Sequence, residues 1–349
     1  MKYFFECTLI ILSLLSFSSC NNDNIVTEPG KTFQKEPGKT FQSDGNNWLP
    51  TTMWPDTGNS VYYVSLQDIV VNKNDEIFVA TDFAGVFKTS DLGMNWETVN
   101  EGLIKTMSNS DTNYFVSSLI SLNNDIFCGN SNLSTKGGIY YLRNSDEMWM
   151  PKIVWNEYSV ITTLEKNNNG EIFAGCYYGL YLSNDGGNNW IDISNGLAWD
   201  KLAYAYTIAF DSSDRIYIGT RDGIYLSDNN GSSWSQIGLN SEAVLSIAIN
   251  SKDEIFALLE NSHILTSTDK GLHWKEILNP ETFYIRHIFI NLDDIIFLST
   301  SDGIYRSNND GEVFKHIGLQ NIAIEKIVIT SKGYMIAASF RDGIFISKE

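Results

Sequence analysis

The sequence predicts an all-β fold, a single seven-bladed β-propeller with four-stranded antiparallel blades. Short segments of alternating apolar residues are separated by clusters of Asn, Asp, Gly and Ser, which is typical of antiparallel strands joined by tight turns. A short motif, clearest from Ser183 to Trp190, recurs along the chain. Its spacing of about forty residues matches the size of one propeller blade.

Each repeat predicts the same four strands. In the fifth repeat, the apolar run 245–249 precedes a turn at 250–253, and a second strand follows at 254–258. A third strand leads into the motif, and a fourth strand begins at the Trp of the motif. A Gly opens the third strand of every repeat except the fifth, where His263 takes its place.

The two ends of the chain predict how the ring closes. The last repeat ends at Glu349, before its fourth strand, and the segment 45–50 near the other end resembles the missing strand. A ring that takes its last strand from the N-terminus has no open sheet edge. We therefore expect the N-terminal segment to complete the seventh blade.

The recurring motif consists of Ser or Thr, Asp two residues later, Gly two after that, and Trp three further on. The Asp or Asn side chain can accept backbone N–H bonds within the turn between the third and fourth strands. The Gly permits a positive φ, and the Trp can fill the gap against a neighbouring blade. The motif carboxylates are therefore poor candidates for catalysis or metal binding. The expected structural positions are Asp91, Asp185, Asn229, Asp269 and Asn309.

The motif resembles the Asp-box, or BNR, repeat, and the resemblance covers about residues 43–349. Proteins with this repeat include sialidases, sortilin-type receptors, xyloglucan-cleaving glycoside hydrolases and a photosystem assembly factor. The box does no chemistry in these families. The resemblance therefore implies the propeller fold and leaves the activity open.

The first twenty residues predict export from the cytoplasm. Lys2 precedes an apolar run at 9–17, which is shorter than the ~20 residues that span a bilayer. Small residues stand just before Cys20, as before a cleavage site. The arrangement resembles the lipobox of bacterial lipoproteins, with Phe17 in place of the usual Leu. The resemblance implies a lipoprotein signal at 1–20, acylation of Cys20 and a place in the bacterial cell envelope; soluble secretion is the alternative.

Residues 21–42 predict a flexible tether between Cys20 and the propeller domain at 43–349. This stretch is polar and contains a tandem duplication with a period of eight residues, in which the sequence of 28–34 returns at 36–42. Pro and Gly punctuate both copies, as in many linkers.

Composition and charge limit the classes of partner. The formal net charge of −18 repels nucleic acid and anionic lipid headgroups, so we expect no nucleic-acid partner and membrane attachment only through the lipid. No nucleotide-binding motif stands in a suitable context, so we expect no cofactor. The four His lack the spacing of metal ligands, so we expect no metal site.

A ligand site is expected on the face opposite the Asp-boxes. In a four-stranded meander, the first–second and third–fourth turns share one face, here named the box face. The second–third loops and the links between blades share the other face, here named the loop face. Aromatic residues on the loop face suit stacking on sugar rings or anchoring of a protein partner, although they could equally pack against neighbouring blades. The aromatic candidates are Trp54, Trp155, Trp199, Tyr177 and Tyr178.

The predicted innermost strands contribute polar residues near the same face. Alignment places these residues in one column: Asp68, Ser118, Thr163, Thr207, Ser246, His287 and Lys326. Arg286 and Glu325 belong to the column before it. We predict ligand-binding candidates at Asp68, Arg286, His287 and Lys326; the alternative is a hydrated network of charge pairs that satisfy one another.

The predicted function is a lipid-anchored extracytoplasmic binding or assembly protein that recognises a glycan or a protein. The alternative is a glycan-active hydrolase of the Asp-box type, which needs a carboxylate pair on the loop face. The carboxylates available there are Asp68, Asp82, Asp222, Asp302 and Asp342. The last three precede Gly in tight turns. No Gly-x-Ser-x-Gly or His-Glu-x-x-His motif occurs, and we assign no catalytic residue.

Overall fold

A computed structural model describes residues 41–43, 46–51, 65–104, 106–108, 111–130, 137–154, 160–177, 179–197 and 205–348. All of these residues belong to one compact unit. Their regular elements are β-strands in antiparallel sheets, which confirms the predicted seven-bladed propeller. Within this described part of the chain, no helix is long and apolar enough to cross a membrane.

Strands are numbered in chain order from β1 (Phe41–Ser43) and β2 (Asn46–Pro50). The first blade contains β3 (Leu66–Val71), β4 (Ile77–Phe83), β5 (Gly85–Thr89) and β6 (Glu97–Thr98). The second contains β7 (Thr106–Ser108), β8 (Asp111–Leu122), β9 (Asp125–Asn130), β10 (Gly138–Leu142) and β11 (Met150–Val154). The third contains β12 (Ile161–Lys166), β13 (Ile172–Cys176), β14 (Gly179–Ser183) and β15 (Ile191–Asp192).

The remaining blades repeat this pattern. The fourth contains β16 (Thr207–Phe210), β17 (Ile216–Thr220), β18 (Gly223–Ser227) and β19 (Ser235–Gly238). The fifth contains β20 (Val244–Ile249), β21 (Ile255–Leu259), β22 (Ile264–Ser267) and β23 (Lys275–Leu278). The sixth contains β24 (Ile285–Ile290), β25 (Ile296–Thr300), β26 (Gly303–Ser307) and β27 (Lys315–Gly318). The seventh contains β28 (Ile324–Ile329), β29 (Tyr334–Ser339) and β30 (Ile344–Lys348), followed in the sheet by β2 and β1.

The N-terminal strand closes the seventh blade, as the sequence predicts. Leu49 of β2 pairs with Ile346 of β30, and Pro50 pairs with Phe345. Strand β1 then pairs with β2 and gives this blade a fifth strand. Phe41 and the residue after it, which the sequence assigns to the tether, therefore belong to a strand.

The core lies between adjacent blades, because each sheet presents both faces to its neighbours. Second strands such as β13, β17, β21 and β25 are buried at every position. The aromatic residue of each box packs on the preceding blade: Trp149 lies against Phe78 and Val86, and Trp274 lies against Tyr217. Trp149 is 1% exposed, whereas Trp274 is only half-buried, so the box aromatics do not contribute equally.

The turns that contain the recurring motif satisfy their own polar groups. In the third blade, Ser183 donates its hydroxyl to Asp185 (2.9 Å) and accepts the backbone N–H of Gly187 (2.8 Å). Asp185 also accepts the backbone N–H of Asn189 (2.8 Å). The backbone and side-chain N–H groups of Asn189 lower the pKa of Asp185 to about 2. Corresponding hydroxyl bonds occur in the boxes of Asp91, Asn229, Asp269 and Asn309.

A second set of turns ties neighbouring blades together on the box face. Ser212 donates its backbone N–H and its hydroxyl to Asp253 of the next blade, both at 2.8 Å. Ser251 bonds Asp294 in the same way, at 2.8 and 2.5 Å. The paired donors lower the pKa of both carboxyls. These turns therefore form charge-assisted links between blades.

Candidate functional site

The innermost strands place the polar column at one level of the channel. Asp68 pairs with Ala80, His287 with Ser299, and Lys326 with Ala338, the same register in three blades. A β-bulge precedes each of these residues and leaves the residue before it outside the ladder. In β24 and β28 the bulged residues are Arg286 and Glu325. The bulge thus creates two adjacent polar rows near the loop face.

Asp68 is committed to bonds within the fold. Its carboxylate accepts the backbone N–H of Leu119 (2.8 Å), the hydroxyl of Ser118 (3.2 Å) and the ammonium of Lys326 (2.5 Å). The residue is 3% exposed. For Asp68 and Lys326, the alternative of a self-satisfied network describes the geometry better than direct ligand contact. These bonds join the seventh, first and second blades.

Arg286 and Glu325 lie nearer the loop face and are more exposed. Nη1 of Arg286 is 3.0 Å from Oε1 of Glu325, and the two side chains are 31% and 19% exposed. Nε of Arg286 is buried and has no hydrogen-bond partner within the described residues. Burial raises the pKa of Glu325, and the Arg286 guanidinium partly offsets this. The guanidinium also lies 5.6 Å from the ring centre of Phe340.

Phe340 belongs to the second–third loop of the seventh blade. The guanidinium of Arg341 lies 4.9 Å from the same ring centre, so two guanidinium groups contact one aromatic ring. Arg341 is exposed and Phe340 is half-buried. Cation–π contacts hold these arginines in place without neutralising their charge.

Asp82 is the second-last residue of β4 in the first blade, next to the loop that corresponds to that of Phe340. Its carboxylate accepts the side-chain N–H of Gln67 (2.7 Å) and the hydroxyl of Ser65 (3.1 Å). Burial raises the pKa of Asp82 to about 6, so the group exchanges its proton close to neutral pH. Asp82 also pairs with Phe115 of β8, which joins the sheets of the first two blades.

Five residues from three consecutive blades therefore surround the loop-face end of the channel, and we name this group the mouth. The mouth consists of Gln67, Asp82, Arg286, Glu325 and Phe340. It combines hydrogen-bonding groups, a guanidinium and an aromatic ring.

Below the polar column, the channel contains a chamber of about 470 Å³. All seven innermost strands line this chamber, mostly with Ile, Val, Leu, Ala and Phe. Its charged or titratable lining residues are Glu165, Lys166, His287 and Lys326. Burial raises the pKa of Glu165 to about 7 and lowers that of His287 to about 3, so His287 is neutral.

Of the aromatic residues predicted on the loop face, the structure describes Tyr177. Tyr177 is half-buried at the end of the second strand of the third blade, where its N–H donates to Val160 (3.1 Å). Trp54, Trp155, Trp199, Tyr178 and Cys20 lie outside the described residues. No group of three His, Cys, Asp or Glu within the described ranges could hold a metal ion.

Glu165 and Phe340 were missed by sequence reasoning. Glu165 stands two residues after the polar column, where the other innermost strands have only apolar residues. A lone charge in an otherwise apolar row is a signal that alignment of the repeats could have found. Phe340 has no comparable signal, because its position depends on how the loop folds over Arg286.

Comparisons with known proteins support the fold. A family model described as the DUF6242 beta propeller domain matches residues 147–289. No curated protein matches the chain. Its structure is similar to the extracellular domain of BT4673 from B. thetaiotaomicron, with a TM-score of 0.65 and 13% identity over 88% of this chain. The match covers 40% of that longer domain.

Two further structures have the same fold. YCF48 bound to D1 peptide has a TM-score of 0.65 and 12% identity, covering 88% of this chain and 97% of YCF48. The GH74 xyloglucanase from Xanthomonas campestris has a TM-score of 0.63 and 12% identity, covering 87% of this chain and 54% of the enzyme. At these identities the likeness shows a β-propeller and no more.

Proposed function

We propose that this chain is a lipid-anchored, extracytoplasmic binding protein that holds a protein or glycan partner at the mouth. The observation that carries the proposal is the partly exposed set of Arg286, Glu325 and Phe340 beside the Asp82–Gln67 pair. The lipobox-like segment ending at Cys20 supports the anchor.

The chemistry of the mouth suits recognition. Arginine and aromatic side chains contribute a large share of binding energy when a partner covers them. The partly exposed guanidinium of Arg286 supplies N–H donors, and Glu325 and Asp82 supply acceptors. Tyr284, which is 67% exposed, lies in the link between the fifth and sixth blades and extends this surface.

The box face is a poorer candidate for a ligand site. The carboxylates of Asp185 and Asp269 already accept hydrogen bonds within their turns. Those of Asp253 and Asp294 hold adjacent blades together. A ligand that took these acceptors would break bonds that stabilise the fold.

Two structural neighbours favour this proposal. The BT4673 structure is an extracellular domain, and YCF48 was solved with a bound peptide. YCF48 is also matched over nearly its whole length, so one propeller of this size is enough to bind a peptide.

The proposal can be tested by comparing loop-face and box-face variants. Wild type, Arg341→Ser with Phe340→Ala, and a box-face control, Lys275→Ser, are crosslinked in cell-envelope extract and applied to a glycan array. We expect a partner that the control retains and the loop-face variant loses by about tenfold or more. A partner retained by the loop-face variant, or no specific partner in either assay, would overturn the proposal.

A hydrolase is the second candidate, and Asp82 is the observation that favours it. A carboxyl group with a pKa of about 6 can act as a general acid near neutral pH. The propeller of a xyloglucanase is among the structural neighbours. Release of reducing ends from xyloglucan by wild type, lost in Asp82→Asn and kept in Arg341→Ser, would establish the hydrolase in place of the binding protein.

A further inference from the structure

The axial chamber is separate from the mouth and has its own chemistry. It extends from the polar column, at His287 and Lys326, to the first–second turn of the third blade at Asn167 and Asn168. Asn168 is exposed, so this end of the chamber reaches the box face. A volume of about 470 Å³ lies within the range of small-molecule sites.

Glu165 is the carboxylate that lines the chamber. It belongs to the third blade, whereas His287 and Lys326 belong to the sixth and seventh blades on the opposite wall. Asp68 has Lys326 as a direct ion-pair partner, but Glu165 has no ion pair within the described residues. A largely desolvated carboxylate without an ion-pair partner is stabilised by a cation that reaches it.

The positive groups of the chamber are already engaged or neutral. Lys326 donates to Asp68, and Lys166 donates to the backbone carbonyl of Ser121. His287 is uncharged. An anionic ligand would therefore have to compete with bonds inside the protein, whereas a cationic ligand would not.

The lining also contains two aromatic rings. Phe210 and Phe289 are half-buried and line the chamber on innermost strands of the fourth and sixth blades. Aromatic faces attract organic ammonium groups, most strongly where water is excluded. We propose that the axial chamber binds a small organic cation, with Glu165 as its carboxylate partner and Phe210 and Phe289 as its aromatic walls.

The proposal predicts a pH dependence. The charged groups that act on Glu165 are Asp68 and Lys326 from the opposite wall and Lys166 beside it, with His287 neutral throughout. Of these groups, Glu165 is the one that changes charge near pH 7. Because a cation binds the ionised carboxylate, its affinity should fall by about tenfold between pH 8 and pH 6.

The experiment is a calorimetric titration of the whole chain with n-butylammonium chloride at pH 8. We expect saturable binding by wild type and a loss of about tenfold or more in Glu165→Gln, which keeps the shape and removes the charge. Glu147→Gln, at an exposed box-face position, is the matched control and should bind like wild type.

Potassium chloride at the same concentration tests whether an organic group is needed. We expect potassium not to displace n-butylammonium, since the aromatic walls favour the organic ion. Absence of saturable binding by wild type, equal binding by Glu165→Gln, or full displacement by potassium would each overturn the proposal. Circular dichroism melts of all variants show whether a loss of binding reflects unfolding.

Discussion

The carboxylates of the box turns and those of the axis have the same chemistry in opposite environments. Asp185 is exposed and receives backbone and side-chain N–H donors, which lower its pKa to about 2. Burial of Glu165 in the axial chamber raises its pKa to about 7. The comparison shows that hydrogen-bond donors and access to water, rather than the residue type, set the pKa of a carboxylate in this propeller. They therefore decide whether the group stabilises a turn or can bind a ligand.

Breaking the axial network should have the largest effect. Asp68→Ala removes the acceptor of Lys326 and Leu119, which leaves a partly buried ammonium unpaired. We expect a loss of about 3–5 kcal/mol in the free energy of unfolding, measured by urea denaturation. The double variant Asp68→Ala with Lys326→Met should recover part of this loss. A single variant as stable as wild type would show that the axial pair has no structural role.

Neutralising Glu165 should stabilise the fold, which is the opposite of the effect expected for Asp68→Ala. Because the folded pKa of about 7 lies above the ordinary value of 4.5, Glu165 destabilises the fold increasingly from about pH 4.5 to about pH 7, and by its full amount above pH 7. Glu165→Gln should therefore be more stable than wild type at pH 8, by about 1–2 kcal/mol. The difference should shrink as the pH falls below 7 and disappear at about pH 4, where Glu165 is protonated in both the folded and the unfolded wild type. A variant that is less stable than wild type at pH 8 would contradict the assignment.

Removing one box hydroxyl should have a smaller effect. Ser183→Ala deletes the acceptor of the Gly187 N–H and a donor to Asp185. Since the side chain is fully buried, we expect a loss of about 1 kcal/mol in thermal or denaturant unfolding. Ser145→Ala, at an exposed turn position of the second blade, is the control and should change little. Equal losses in the two variants would show that the box hydroxyl has no special role.

The smallest effect should come from Asp185 itself. Its folded pKa is depressed, so its contribution is present above the unfolded pKa and is lost as the pH falls through about 2. Asp185→Asn should flatten the acid side of the stability curve slightly, in melts between pH 5 and pH 2. A variant with the same acid dependence as wild type would mean that the exposed turn bonds contribute nothing measurable.

Much of the fold follows from short patterns. The seven blades and the closing strand β2 agree with the sequence because alternation and turn residues depend on neighbours only a few positions away. The polar column also agrees, since the repeats place His287 and Lys326 at the same register. Strand β1 was not predicted, because its pairing with β2 depends on an edge that exists only after the ring closes.

The sequence by itself determined the repeat, the turns and the order of residues along each innermost strand. Only the tertiary structure decided which charges meet. Asp68 and Lys326 are far apart in the chain, and the closure of the ring brings them together. The raised pKa of Glu165 likewise requires walls from blades across the channel, because desolvation depends on all the atoms that surround a charge rather than on its neighbours in sequence.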